Sequence, residues 1–166
     1  MADVSRFSDV EAAKVAVGLE EDGFAFYSAI AAKDHNPRTR KVFDHLARAE
    51  KQHLVKFEAL EKQLILGKGQ YWDDPAVNAY IRALVDTKVF PREYSPAGYA
   101  EWLKTERDVL QFALQIEKDS ALFYSVAAEH ATTADTCATF GTIRGEEEKH
   151  VVWVSNALKA VAPSDK

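Results

Sequence analysis

The chain has 166 residues, 47% of them apolar and 28% charged, with seven Gly and five Pro, the make-up of one compact soluble domain over residues 1–166 rather than a disordered, collagen-like or low-complexity chain. Twenty-six acidic against 21 basic side chains leave a formal charge of -5, and no Lys/Arg run is long enough to follow a phosphate backbone, so nucleic acid is not an expected partner. Apolar stretches span only a few residues and the segment Met1-Ala2-Asp3-Val4-Ser5-Arg6 lacks a leader pattern; no membrane span is expected, and the expected location is cytoplasmic. A single cysteine, Cys137, cannot form a Cys-x-x-Cys knuckle, so any metal must be held by oxygen and nitrogen.

Ser8 followed by Glu11 is a capping-box pattern, and apolar residues recur from there to about Lys33 at spacings of three and four, predicting a first long helix. Asn36-Pro37 supplies an N-cap and a first-turn proline for a second, which Gly67 and Gly69 stop. The periodicity then breaks over 68–104, where Asp74-Pro75 opens a short helix to about Asp86 and Ser95-Pro96 another. A third long helix is expected from about Thr105 to His130. A fourth follows Thr132-Thr133 and runs to about Val161, although Gly141 and Gly145 lower its propensity. Four long helices with a connection of this reach between the second and third imply an all-α bundle with a crossover. Tyr71, Trp72, Tyr80, Phe90, Tyr94, Tyr99 and Trp102 concentrate aromatic surface in that crossover, which should pack either as a belt on its own helices or against a second subunit.

Sliding the sequence against itself by 97 residues aligns 11–64 with 108–161 without a gap, and 13 of 54 positions match. The matches include Glu20/Glu117, Asp22/Asp119, Tyr27/Tyr124, Phe43/Phe140, Glu50/Glu147 and His53/His150. Each half therefore spells a Glu, a Tyr seven residues later, and Glu-x-x-His beginning thirty residues after the first Glu. On helical phase, Glu50 and His53 fall in the stripe of Phe43, Leu46, Phe57 and Leu60, and Glu147 and His150 in that of Phe140, Ile143 and Val154. Glu20 and Glu117 interrupt the apolar stripes of the first and third helices in the same way.

Four carboxylates converging in an apolar core cost several kcal/mol each if ionised and unpaired, on the order of the net stability of such a domain. No Arg or Lys lies on these stripes. Two divalent cations would balance four negative charges while imidazoles complete the coordination, so a dinuclear metal site held by Glu20, Glu50, His53, Glu117, Glu147 and His150 is expected, the inward-projecting ligand pattern of ferritin-like bundles. Glu21, Glu146 and Glu148 have no carboxylate at the repeat position and are expected to be solvated. Asp22 and Asp119 point away from the site, and His35, His45 and His130, without repeat partners, are expected at the surface. Cys137 lacks an activating His. Tyr27 and Tyr124 lie one heptad from Glu20 and Glu117, so each hydroxyl can bond a ligand carboxylate, sit beside the metals or bond a backbone carbonyl; all three remain open.

On these residues the chain resembles the rubrerythrin branch of the ferritin-like superfamily over 11–64 and 105–161. The resemblance implies that Glu50 and Glu147 bridge two irons, that Glu20 and Glu117 are terminal ligands, that each His caps one metal, and that Tyr27 and Tyr124 are catalytic. It implies a non-haem di-iron oxidoreductase acting on hydrogen peroxide or dioxygen, and a homodimer. Three features depart from the family. One cysteine cannot build a rubredoxin module, so electrons are expected from a separate electron-transfer protein. Ser120 stands where rubrerythrins carry a further Glu, which leaves a symmetric four-Glu, two-His set. Lys51 stands where bacterioferritin has its haem-ligating Met, so no haem is expected. A ferroxidase or iron-storage protein and a di-manganese catalase use similar ligands and are the alternatives.

Overall fold

The computed structural model describes residues 7–33, 36–67, 70–86 and 95–161. Within them the chain forms six helices: α1 (Asp9–Ala31), α2 (Pro37–Leu66), α3 (Pro75–Asp86), α4 (Pro96–Ala100), α5 (Glu106–His130) and α6 (Ala134–Ala160). The four long helices α1, α2, α5 and α6 form the expected bundle, with α1 packed along α2 and α5 along α6. Among the described residues no helix is long and apolar enough to cross a membrane.

Side-chain caps start each long helix. Ser8 Oγ accepts from the Glu11 amide, and Asn36 Oδ1 accepts from the Arg38 and Thr39 amides ahead of Pro37. Thr105 and Asp108 form a full capping box, and Thr133 Oγ1 accepts from the Thr136 amide. At the far end of α2 the chain leaves through Gly67 in an extended conformation, its N–H donating to Leu64 O; Gly69 lies outside the described residues. Helix α6 runs unbroken through Gly141 and Gly145.

The interior is two apolar layers with a polar layer between them. One layer joins Ala12, Ala13 and Ala16 to Phe57, Leu60, Phe123 and Phe140. The other joins Phe26 and Ile30 to Phe43, Leu46, Leu110 and Val154. Glu20, Glu50, Glu117 and Glu147 fall between these positions on their helices, so the chain buries them at the middle of the bundle, sealed by apolar packing above and below.

The described part of the crossover is a belt on the chain's own helices. Trp72 is buried on Phe7, its amide donates to Phe7 O and its indole Nε1 to Asp9. Asn78 accepts the Phe7 amide, Ile81 is fully buried, and Lys33 Nζ donates to Ala100 O, tying α4 to α1. Tyr71, Tyr80 and Trp102 remain exposed. Phe90, Tyr94 and the side chain of Tyr99 lie outside the described residues, as does His35.

Candidate metal centre

The six residues of the repeated pattern meet in the polar layer, and none is more than 5% exposed. They form two groups, Glu20, Glu50, His53 and Glu147 on one side and Glu50, Glu117, Glu147 and His150 on the other; within each, one ligand atom per residue lies within 4.8 Å of the others. Glu50 and Glu147 belong to both groups. Each group can hold a metal ion, with the two shared carboxylates between them.

The geometry follows the pseudo-twofold of the repeat. His53 Nδ1 faces Glu147 Oε1 at 2.9 Å and Glu20 Oε2 at 3.5 Å. His150 Nδ1 faces Glu147 Oε2 at 3.1 Å, Glu117 Oε2 at 3.2 Å and Glu50 Oε1 at 3.9 Å. The tyrosines exchange halves: Tyr27 OH donates to Glu117, and Tyr124 OH to Glu20. Of the roles open to these hydroxyls, the structure shows the bond to a site carboxylate, across the bundle rather than along the helix. Burial, with the charge of neighbouring carboxylates, pushes both phenols well above their ordinary value, so each stays protonated and donates.

Protons balance the charge in the polypeptide alone. Burial and the neighbouring Glu20 and Glu147 push Glu50 up, and burial with the charge of Glu147 brings Glu117 to about 8. Burial opposes protonation of the imidazoles, but their carboxylate neighbours prevail and raise His53 to about 11 and His150 to about 9. Burial would raise Glu147 too, yet the two histidines hold it well below the carboxylate range. Even so, Glu20 Oε2, Glu50 Oε1, His53 Nδ1 and Glu147 Oε1 are buried without an aligned hydrogen-bond partner. Such atoms cost free energy unless something accepts their lone pairs, and oxygen and imidazole nitrogen are the donors that iron, manganese and zinc take. Space is also reserved: a Cβ at Gly23, the repeat partner of Ser120, would stand 3.1 Å from Glu50 Oε2. The donor set fits two divalent cations.

One neighbour departs from expectation. Glu146 is not simply solvated: its Oε2 lies 2.7 Å from His53 Nε2, and its Oε1 accepts from Lys56 Nζ at 3.3 Å. Its side chain is one-third exposed, and although burial acts the other way, His53 and Lys56 hold its carboxyl below the usual range. Because its repeat partner is Ala49, symmetry could not single it out; its proximity to His53 is made by α2 and α6 coming together. Glu21 is exposed, and Glu148 is exposed and pairs with Arg144. Asp119 accepts from Gln115 on the surface of α5. His45 is exposed and packs edge-on against Trp153, His130 lies against Trp72, and Cys137 is exposed and free.

A long-helix bundle with two Glu and two Glu-x-x-His motifs projecting into its centre is a ferritin-like architecture. The family model for rubrerythrin matches residues 8–91, just over half of the chain, and the chain belongs to the rubrerythrin family. That match takes in Glu20, Tyr27, Glu50 and His53. Neither a curated protein nor a solved structure matches the chain.

Proposed function

We propose that the protein is a non-haem di-iron oxidoreductase that reduces hydrogen peroxide with electrons from a separate protein. The observation that carries the reading is the pair of buried ligand groups with Glu50 and Glu147 in common. These residues would hold two ferrous ions, which would supply the two electrons that, with two protons, reduce hydrogen peroxide to two waters. In this reading Glu20 and Glu117 would be terminal ligands and each His would offer Nδ1, the nitrogen that faces the carboxylates. The Tyr27 and Tyr124 hydroxyls fix Glu117 and Glu20, and the apolar layers on either side exclude bulk water from the reacting centre.

An external donor is supported by the surface beside His150. Trp153, 43% exposed, lies 5.6 Å from the His150 ring and 4.4 Å from that of His45, so aromatic groups run from solvent to a ligand. The adjoining grooves carry Arg38, Lys41, Arg48 and Lys149 against one acidic residue, Glu146, on a chain of net charge -5, an excess of positive charge that suits an acidic electron-transfer protein. The protein is read as a homodimer, which size-exclusion chromatography with light scattering checks.

Stopped-flow oxidation of the di-ferrous protein tests the reading. Peroxide is expected to oxidise it at least about tenfold faster than dioxygen at equal concentration. Dioxygen reacting as fast, with iron mineral accumulating, would establish a ferroxidase instead; dioxygen release from peroxide by manganese-loaded protein would establish a catalase.

A further inference from the structure

The internal repeat makes the six ligands symmetric, but it does not make their surroundings so. His53 and His150 are repeat partners, as are Glu146 and Ala49, and Lys56 and Trp153. Around His53, α6 supplies the Glu146 carboxylate, 2.7 Å from Nε2, and Lys56 Nζ on α2 holds that carboxylate in turn at 3.3 Å. Around His150 the corresponding positions hold Ala49 and Trp153. Among the described residues no carboxylate reaches His150 Nε2; the ring instead meets the Trp153 ring at 5.6 Å and the edge of His45 at 6.0 Å. Ala49 and His150 line one groove of about 270 Å³ with Gln52, Trp153 and Glu146, whose Oε2 is engaged by His53.

We propose that Glu146 is a positioning residue that makes the two metal positions unequal. By accepting the Nε2 proton it fixes His53 as the tautomer whose Nδ1 lone pair faces Glu20 and Glu147, and it increases the basicity of that nitrogen. The position formed by Glu20, Glu50, His53 and Glu147 then binds its cation more tightly and fills first. The position formed with His150 fills second and releases its ion first, on the side where Trp153 reaches solvent. Carboxylate partners of this kind change metal affinity by roughly 10- to 100-fold. The inference rests on reading the cluster as a two-metal site.

The experiment is a titration of metal-free protein with cobalt(II) alone, followed by ligand-field absorbance and calorimetry, with anomalous diffraction from crystals given one equivalent. The expected result is two resolved steps, the first at least about tenfold tighter, with the first ion beside His53. Glu146→Ala should weaken the first step by about 10- to 100-fold and leave the second within about threefold, while Glu146→Gln, whose amide oxygen still accepts from Nε2, should recover part of the loss. Ala49→Glu should tighten the second step. Equal occupancy of the two positions at one equivalent, a first ion beside His150, or equal weakening of both steps by Glu146→Ala would overturn the inequality. Two resolved steps insensitive to Glu146 would overturn the role of that residue. No cobalt uptake by the wild-type protein would instead overturn the two-metal reading itself, and this inference with it.

Discussion

Glu50 and Glu147 each face both imidazole sides of the centre, so one substitution there reaches two metal positions at once. Glu50→Ala is expected to lower iron content from two ions per chain to well below one by elemental analysis, whereas Glu21→Ala, on the exposed side of α1, leaves it at two. The six ligand candidates were legible because ionisable residues on an apolar helical stripe are costly enough to require a reason, and because the repeat shows each of them twice. Glu146 was illegible for the complementary reason. It is single, it sits among Glu147 and Glu148, and its partner His53 is 93 residues away. The partners of Tyr27 and Tyr124 were half legible: heptad spacing put each hydroxyl on the site face, but only the packing of α1 against α5 decides that it reaches the other half's Glu.

Helix ends follow local chemistry, so Ser8, Asn36, Thr105 and Thr133 marked them within a residue or two. The crossover obeys long-range contacts that no local pattern encodes. Asp9, fully buried, accepts from Trp72 Nε1 at 2.9 Å and from Thr132 Oγ1 at 2.8 Å, joining α1, the crossover and the α5–α6 turn. Asp9→Ala strands the buried Trp72 indole N–H, while the exposed Thr132 can turn to water, and is expected to cost roughly 1–3 kcal/mol in urea unfolding. The glycines of α6 invite the opposite change. A Cβ at Gly141 or Gly145 meets nothing within 4 Å, so Gly141→Ala and Gly145→Ala should each stabilise the protein by about 0.5–1 kcal/mol. Gly23→Ala offers the same propensity gain in α1 but presses on Glu50 Oε2; there metal uptake should fall.

Across the whole molecule, the bundle is built around a layer that either protons or cations must neutralise. In the metal-free protein, Glu50, Glu117, His150 and His53 all hold protons more tightly than in the unfolded chain. Their contributions are fully present below the ordinary values of 4.5 for Glu and 6.5 for His, and are lost as pH rises through the folded values, about 8 for Glu117, about 9 for His150 and about 11 for His53. Glu147 acts in the opposite sense, its contribution being lost only as pH falls below 4.5. Metal-free protein should therefore lose thermal stability between pH 6.5 and 9, while metal-loaded protein, whose cations have displaced those protons, should change less; scanning calorimetry of both forms over that range checks it. The most direct measurement is an anomalous-scattering map at the iron edge from crystals of iron-loaded protein. The expected result is two peaks, one among Glu20, Glu50, His53 and Glu147 and one among Glu50, Glu117, Glu147 and His150. A map with no peak in the bundle centre, or with one ion held away from Glu50 and Glu147, would contradict the two-metal centre.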